Sequence, residues 1–202
     1  SGHERVRGVD GVPEGWKRGT LSDICGDIRQ TALPGELEPD TPHIGLEHMP
    51  RRSISLSTWG QAEEVTSTKH RFRAGDILFG KIRPYFHKVG IAFVDGVASS
   101  DAIVIRPASD DLRGLALLTL SSDAFIAQAS QTMREGSKMP RADWKLMQKY
   151  PVLLPSAGLL GAFRDQADPV VDQLRSLGIQ NRKLREARDL LLPLLMSGEI
   201  AV

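Results

Sequence analysis

Between Leu160 and Leu191 the chain carries a seam at alternating steps of three and four: Leu160, Phe163, Ala167, Val170, Leu174, Leu177, Asn181, Leu184, Arg188 and Leu191. Steps averaging 3.5 residues return to one side of an α-helix at every turn, so the seam predicts a long helix that packs along another helix. At the ideal rise it extends ~50 Å, more than a domain of this size needs internally. Asn181, polar and on the seam, costs stability but can fix register or partner orientation. Pro169 lacks an N–H to donate, so the pattern predicts a kink or a restart there, with Asp168 as N-cap. The alternative is an amphipathic helix folded back on its own domain.

Upstream the pattern changes to short strands, turns and a few helices. Trp16 to Leu21 predicts a strand leading into a short helix capped by Thr20 or Ser22. Ile44 with Leu46, and Ile54 with Leu56, alternate as half-buried strands do. Ile77-Leu78-Phe79 is a short apolar run after the turn Ala74-Gly75-Asp76. Val89 to Val94 and Ala102 to Ile105 are further strands, separated by the Asp95-Gly96 turn. Leu112 to Leu120 and Asp123 to Met133 predict helices, the second capped by Ser121 or Ser122. Val152-Leu153-Leu154-Pro155 predicts a final strand. The expected class is α+β: a compact, curved β-rich domain over residues 12–156 with a few helices, then a coiled-coil-type helix over 157–202. Residues 1–11, opening on Ser1-Gly2-His3, are expected to be a tag remnant and flexible N-terminus.

An apolar fraction of 41% and a charged fraction of 25% lie in the ordinary soluble range. The run Leu190 to Met196 is interrupted by Pro193 and is too short to span a bilayer. The polar opening Ser1 to Asp10 predicts no signal peptide, hence a cytoplasmic protein. A single cysteine, Cys25, excludes a disulfide within the chain and a cysteine metal cluster. The net charge of +1 conceals an asymmetry. Residues 51–88 hold eight Lys and Arg against three acidic residues, residues 134–149 five against two, and residues 1–50 five against nine. A nearly neutral chain can therefore present a positive face to phosphates, although such clusters are also ordinary solvated surface.

Motifs that would support catalysis fail on spacing. Gly75 to Lys81 opens like a phosphate-binding loop, but Ile82 stands where Ser or Thr must hold magnesium, and Ile77-Leu78-Phe79 favours a buried strand. His43, Glu47 and His48 approximate a zinc-peptidase signature one residue out of step, which leaves structural histidines as the better reading. Ala98-Ser99-Ser100-Asp101 lacks the glycines of a nucleophile elbow, and Asp101 is expected to bond nearby backbone amides. Neither an S-adenosylmethionine loop nor an Asn-Pro-Pro-aromatic motif is evident, so no catalytic residue and no metal ligand is assigned.

Two basic segments remain. Lys81-Ile82-Arg83-Pro84-Tyr85-Phe86-His87-Lys88 mixes cations with aromatic rings on a loop that Pro84 bends out of the preceding strand. Gly136-Ser137-Lys138-Met139-Pro140-Arg141 offers two cations on a constrained turn. Arg83, Tyr85, His87, Lys88, Lys138 and Arg141 are the candidate DNA contacts, through phosphates, guanine edges or stacking. The alternative places Tyr85 and Phe86 in the core with the cations merely solubilising.

At these segments a family likeness enters. Ile44-Gly45-Leu46-Glu47-His48-Met49, Gly75 to Tyr85, Ser99-Ser100-Asp101, Lys138-Met139-Pro140-Arg141 with Trp144, and Tyr150 to Pro155 occur in order. With Val12 to Trp16, Asn181, Arg188 to Pro193 and Ser197 to Ile200, they make nearly the whole chain resemble a target-recognition domain of the specificity subunit of type I restriction-modification systems. The resemblance implies a non-catalytic reader of double-stranded DNA followed by a spacer helix. It implies partners in methyltransferase and restriction subunits, with S-adenosylmethionine, ATP and magnesium expected only on those partners. A complete subunit has two such domains and two helices, so the chain is expected to be a half-subunit or a fragment. Its helix would pair with that of a copy or of a second recognition domain, and the pairing residues would be Leu160, Phe163, Val170, Leu174, Leu177, Asn181, Leu184 and Leu191. The competing function is a coiled-coil interaction module with an incidental basic surface; a hydrolase using His43, Glu47 or Asp101 is the third.

Overall fold

A computed structural model describes residues 12–133 and 139–200. The expected tag remnant at 1–11 and the candidate contact Lys138 lie outside the described residues. The first half of the domain is built of short strands: β1 (Lys17–Thr20), β2 (Cys25–Ile28), β3 (Thr31–Ala32), β4 (Pro42–Ile44), β5 (Ser55–Leu56), β6 (Gly60–Gln61) and β7 (Lys69–Phe72). Four longer-range strands follow, β8 (Ile77–Gly80), β9 (Val89–Ala92), β10 (Gly96–Ala98) and β11 (Ala102–Pro107). The chain then forms α1 (Arg113–Leu120), α2 (Asp123–Gln131), α3 (Trp144–Met147), β12 (Pro151–Leu154) and α4 (Ala157–Ser197).

The strands make two mixed five-stranded sheets, ordered β3-β7-β10-β4-β6 and β2-β11-β8-β9-β5, and a small β1-β12 pair. Within them β4 runs parallel to β10 and β5 parallel to β9, while the other pairings are antiparallel. The all-apolar stretch of β8 is explained by its position. Ile77 and Phe79 face a core shared with α1, α2 and α3, whereas Leu78 faces a second core between the two sheets with Ile44, Phe72, Ala98 and Val104. A strand covered on both faces needs no polar alternation. Gly75 to Lys81 is therefore scaffold, as its apolar run implies.

Local signals account for several boundaries. Thr20 caps the 3-10 turn Leu21–Asp23, its N–H donating to Asp23 Oδ2 at 2.6 Å. Ser122 rather than Ser121 caps α2, accepting Phe125 N–H at 3.1 Å while its hydroxyl donates to the Thr119 carbonyl. Ser122→Ala should lower stability by about 1 kcal/mol, the usual worth of such a cap, measurable as a reduced denaturation midpoint at unchanged m-value. Leu46, expected on a strand, sits instead in a 3-10 turn (Leu46–His48), because His48 Nδ1 accepts the Gly45 N–H at 3.0 Å and curls the chain.

The restart expected as one outcome at Pro169 does not occur. α4 is one continuous helix from its Ser156 N-cap through both Pro169 and Pro193, with no restart. Asp168 is not a cap; its carboxylate lies 3.6 Å from the Arg113 guanidinium. Packing of this part of the helix on the domain outweighs the lost hydrogen bond, which falls on an exposed turn.

Candidate nucleic-acid interface

The loop after β8 is held in a costly shape. Arg83 and His87, at either end of the 3-10 turn Pro84–Phe86, have φ of 48° and 54°, and Arg52 opposite them has φ of 55°. Non-glycine residues in the left-handed region cost about 1 kcal/mol or more each, so surrounding contacts must impose it. Arg52 N–H donates to the His87 carbonyl at 3.0 Å, His87 Nε2–H donates to the Ser121 carbonyl at 2.8 Å, and Arg52 lies 3.0 Å from Asp123. His87 is thus buried at 7% exposure and anchors the loop to α2, which corrects its expected place on the contact surface. Lys88 is half-buried, its Nζ donating to the Leu46 carbonyl at 2.5 Å. Arg83 and Tyr85 are exposed; Tyr85 meets Phe86 edge-on, and the Arg51 guanidinium sits 4.0 Å over the Phe86 ring.

Backbone pairing brings the two basic segments together. Ile82 forms an antiparallel bridge with Arg141, Ala142 N–H donates to the Lys81 carbonyl at 2.8 Å, and Arg83 N–H to the Pro140 carbonyl at 3.1 Å. The Ser99–Asp101 turn joins them: Lys81 N–H donates to the Asp101 carbonyl at 2.9 Å, and Arg141 Nη2 lies 3.3 Å from the Asp101 carboxylate. The Asp101 carboxylate therefore serves Arg141, and the turn's local bond is instead Asp101 N–H to Ser99 Oγ.

Beside this junction lies a cleft of about 500 Å³ whose charged lining includes Arg29, His70, Lys81, Arg141 and Lys145, with Trp144 and Met139 as apolar wall. Its two carboxylates are occupied: Asp27 pairs with Arg29, and Asp143 accepts Lys145 N–H at the start of α3. Burial holds the Lys81 ammonium below its ordinary value, Asp101 opposing the shift and Arg141 adding to it. Burial, then Lys81 and Arg29, likewise hold His70 below its ordinary value of 6.5. His70 Nδ1 is buried and has no hydrogen-bond partner among the described residues. Crowded, partly desolvated cations of this kind gain from an incoming anion. A second concavity, lined by Arg83, Phe86 and Lys88, shares Met139 with the first. Arg83 and Arg141 therefore lie on adjoining parts of one surface. Arg29 and His70 escape a charge tally, Arg29 because it lies in an acidic segment and His70 because it is not counted as a charge; Arg51 is counted among the basic residues of 51–88, but its place over Phe86 is set only by the fold.

Because the folded pKa of His70 is depressed, the unfolded chain takes up its proton first as pH falls below about 6.5. Stability attributable to this group is present above that pH and is lost on acidification. His70→Gln should flatten the decline in stability between pH 7 and 5 relative to the parent, measured by denaturant unfolding across that range.

His43, Glu47 and His48 each bring one ligand atom within 4.8 Å of the others. The His48 Nδ1 lone pair already accepts the Gly45 N–H, so the group serves the turn.

The two rows of the helix seam separate. Leu174 packs on the main core and Phe163 lies against Gly114, so the first half of α4 docks on its own domain. Val170, Leu177, Leu184 and Leu191, seven residues apart, are 57%, 52%, 67% and 49% exposed. From Asn181 on, the other row is polar, and both it and Leu184 face solvent. Among the described residues no helix is long and apolar enough to cross a membrane.

No protein-family model matches the chain. In sequence it is 28% identical over 156 residues to the type I restriction enzyme EcoDI specificity subunit of Escherichia coli, covering 75% of this chain and 34% of that protein. It is 24% identical over 199 residues to the HindI specificity subunit of Haemophilus influenzae, covering 94% of this chain and 42% of the relative. In structure it matches the HsdS subunit from Thermoanaerobacter tengcongensis with a TM-score of 0.61 at 16% identity, over 92% of this chain and 49% of the other. The chain thus spans well under half the length of these curated relatives and about half of the structural one. The resemblance to type I specificity subunits, and the mixed α+β domain with a long C-terminal helix, are both borne out.

Proposed function

We propose that the chain, similar in sequence and fold to type I restriction specificity subunits, is a non-catalytic unit that reads one half of a split double-stranded DNA site. The observation that carries this reading is the pairing of residues 81–83 with 140–142, which sets Arg83 beside Arg141, Lys81 and Lys145 around two adjoining concavities that share Met139. Cations fixed at backbone-paired positions suit phosphate positioning, and the strained Arg83–His87 turn presents Arg83 and Tyr85 for groove contacts. The row Val170, Leu177, Leu184, Leu191 pairs with the helix of a second recognition unit, and the assembled specificity element directs methyltransferase and restriction subunits. Those partners carry S-adenosylmethionine, ATP and magnesium, and the assembly works in the cytoplasm. An interaction module alone would leave the partly buried Lys81 and His70 without a purpose.

The test is a methylation map of DNA from cells producing this chain together with its methyltransferase subunit. A methylated motif of two short half-sites around a fixed gap, present only with the chain, is the expected result. Its absence with folded chain and active methyltransferase would defeat the reading.

A further inference from the structure

The helix α4 lies along its own domain from Phe163 to Arg182, with Val171 and Leu174 packed on the main core between the two ends of this contact. At the first, Phe163 and Ala167 lie on Gly114, where an added Cβ would stand 3.0 Å from the Phe163 ring, and Asp168 and Arg164 pair with Arg113 and Asp111. At the second, Gly178 is the one buried residue of α4, and a Cβ there would stand 2.8 Å from Ser57 Cβ. One turn on, the Arg182 guanidinium lies 3.9 Å over the Trp59 ring and its Nη1 donates to the Trp59 carbonyl at 3.0 Å, while Nε donates to Glu186 at 2.7 Å.

A contact at one end alone would leave the far half of the helix free to swing, whereas the Phe163 and Gly178 contacts, ~22 Å apart along the axis with Val171 and Leu174 between them, fix its direction. The segment holding the second contact is well placed as a reference. It joins β5, at the edge of one sheet, to β6, at the edge of the other, so it moves only with the body of the domain. Arg182 adds directionality, since a planar guanidinium that both stacks and donates to a main-chain carbonyl tolerates little rotation. Gly178 lies ~100° round the helix from Leu177, which leaves the exposed row free for pairing while the latch is closed.

Resting on the reading of α4 as the spacer of a DNA-specificity unit, we propose that Gly178, Arg182 and Trp59 form a latch. It sets the angle between the reading domain and the spacer helix, and hence the gap between the two half-sites. These are positioning residues and touch no DNA. Pivoted at Phe163, a wedge of about 2 Å at Gly178 grows to roughly 4–5 Å at Ser197, more than the ~3.4 Å rise of one base pair.

Two variants test this, Gly178→Leu as wedge and Arg182→Ala as release. Each is mapped for methylation with the methyltransferase subunit. Each is also spin-labelled at Thr66→Cys and Ser197→Cys and diluted with unlabelled chain, Cys25 being buried with its thiol pushed up to about 12. The latch predicts unchanged half-site sequences with the gap shifted or relaxed by at least one base pair, and a label distance that shifts or broadens by ~3 Å or more. Parental gap and parental distances in both variants would overturn it. Where a variant methylates nothing, the distances decide: a changed distribution supports the latch and an unchanged one overturns it. A parent chain that yields no split motif defeats the specificity reading, and the label distances then judge the latch separately.

Discussion

Reversing Arg83 and Arg141 together, as Arg83→Glu with Arg141→Glu, is expected to lower affinity for duplex DNA by about two orders of magnitude near physiological salt, and to reduce the salt slope by about two. Both side chains are exposed, and they sit on backbone segments held to each other by the Ile82–Arg141 bridge. Asp101, the charge partner of Arg141 among the described residues, is itself partly exposed, and such pairs contribute little to folding. The thermal midpoint of the double variant should therefore stay within a few degrees of the parent, which separates loss of binding from loss of fold. Reversal is more informative than truncation to Ala, because a glutamate at each position repels the phosphate that the arginine attracted. Fluorescence anisotropy across a salt series measures both quantities. An unchanged affinity and slope in a folded variant would remove this face from the interface and move attention to the interaction-module reading.

The two basic segments could be picked from the sequence because each combines cations with a proline, Pro84 or Pro140, that limits the local backbone, a local and additive signal. Their junction could not, since the isolated bridge of 82 with 141 joins segments 59 residues apart in the chain. His87 shows the limit of composition: its place among Arg83, Tyr85 and Lys88 suggests a contact residue, yet a left-handed backbone turns its ring inward onto Ser121. The core strand Ile77–Gly80 was readable because burial on both faces leaves an uninterrupted apolar run. Leu46 was not, because one histidine nitrogen capping a glycine N–H is enough to turn the alternation into a 3-10 turn.

The helix illustrates a different ambiguity. A step of 3.5 residues marks any apolar stripe, whether a second helix or the parent domain covers it, so one seam in the sequence held two faces. Pro169 pointed to a kink or a restart, and no restart occurs, because the cost of a missing hydrogen bond on an exposed turn is smaller than the packing that Phe163, Leu174 and Val171 supply. Nothing local pairs Arg182 with Trp59, 123 residues away.

If the exposed row is the pairing surface, Leu177→Glu with Leu184→Glu should abolish helix pairing and leave the domain folded. Both side chains are more than half exposed and neither packs in a core cluster, so truncating or charging them removes little buried area within the chain. The midpoint of Val170, Leu177, Leu184 and Leu191 falls beside Asn181. A twofold antiparallel pair centred there would set Leu177 against Leu184 and Val170 against Leu191, with the two Asn181 side chains near the axis. The four leucines at positions 177 and 184 of the pair would then meet, each contributing of order 1–2 kcal/mol when buried, and four glutamates in their place would repel. The expected result in sedimentation equilibrium is a dissociation constant raised by at least about a hundredfold, at a thermal midpoint near that of the parent. Leu174→Glu is the contrasting control: Leu174 packs on the main core, so this change should lower stability rather than pairing alone. A parent chain that stays monomeric at every concentration would assign the row to a helix other than a copy of this one, and would end the twofold arrangement.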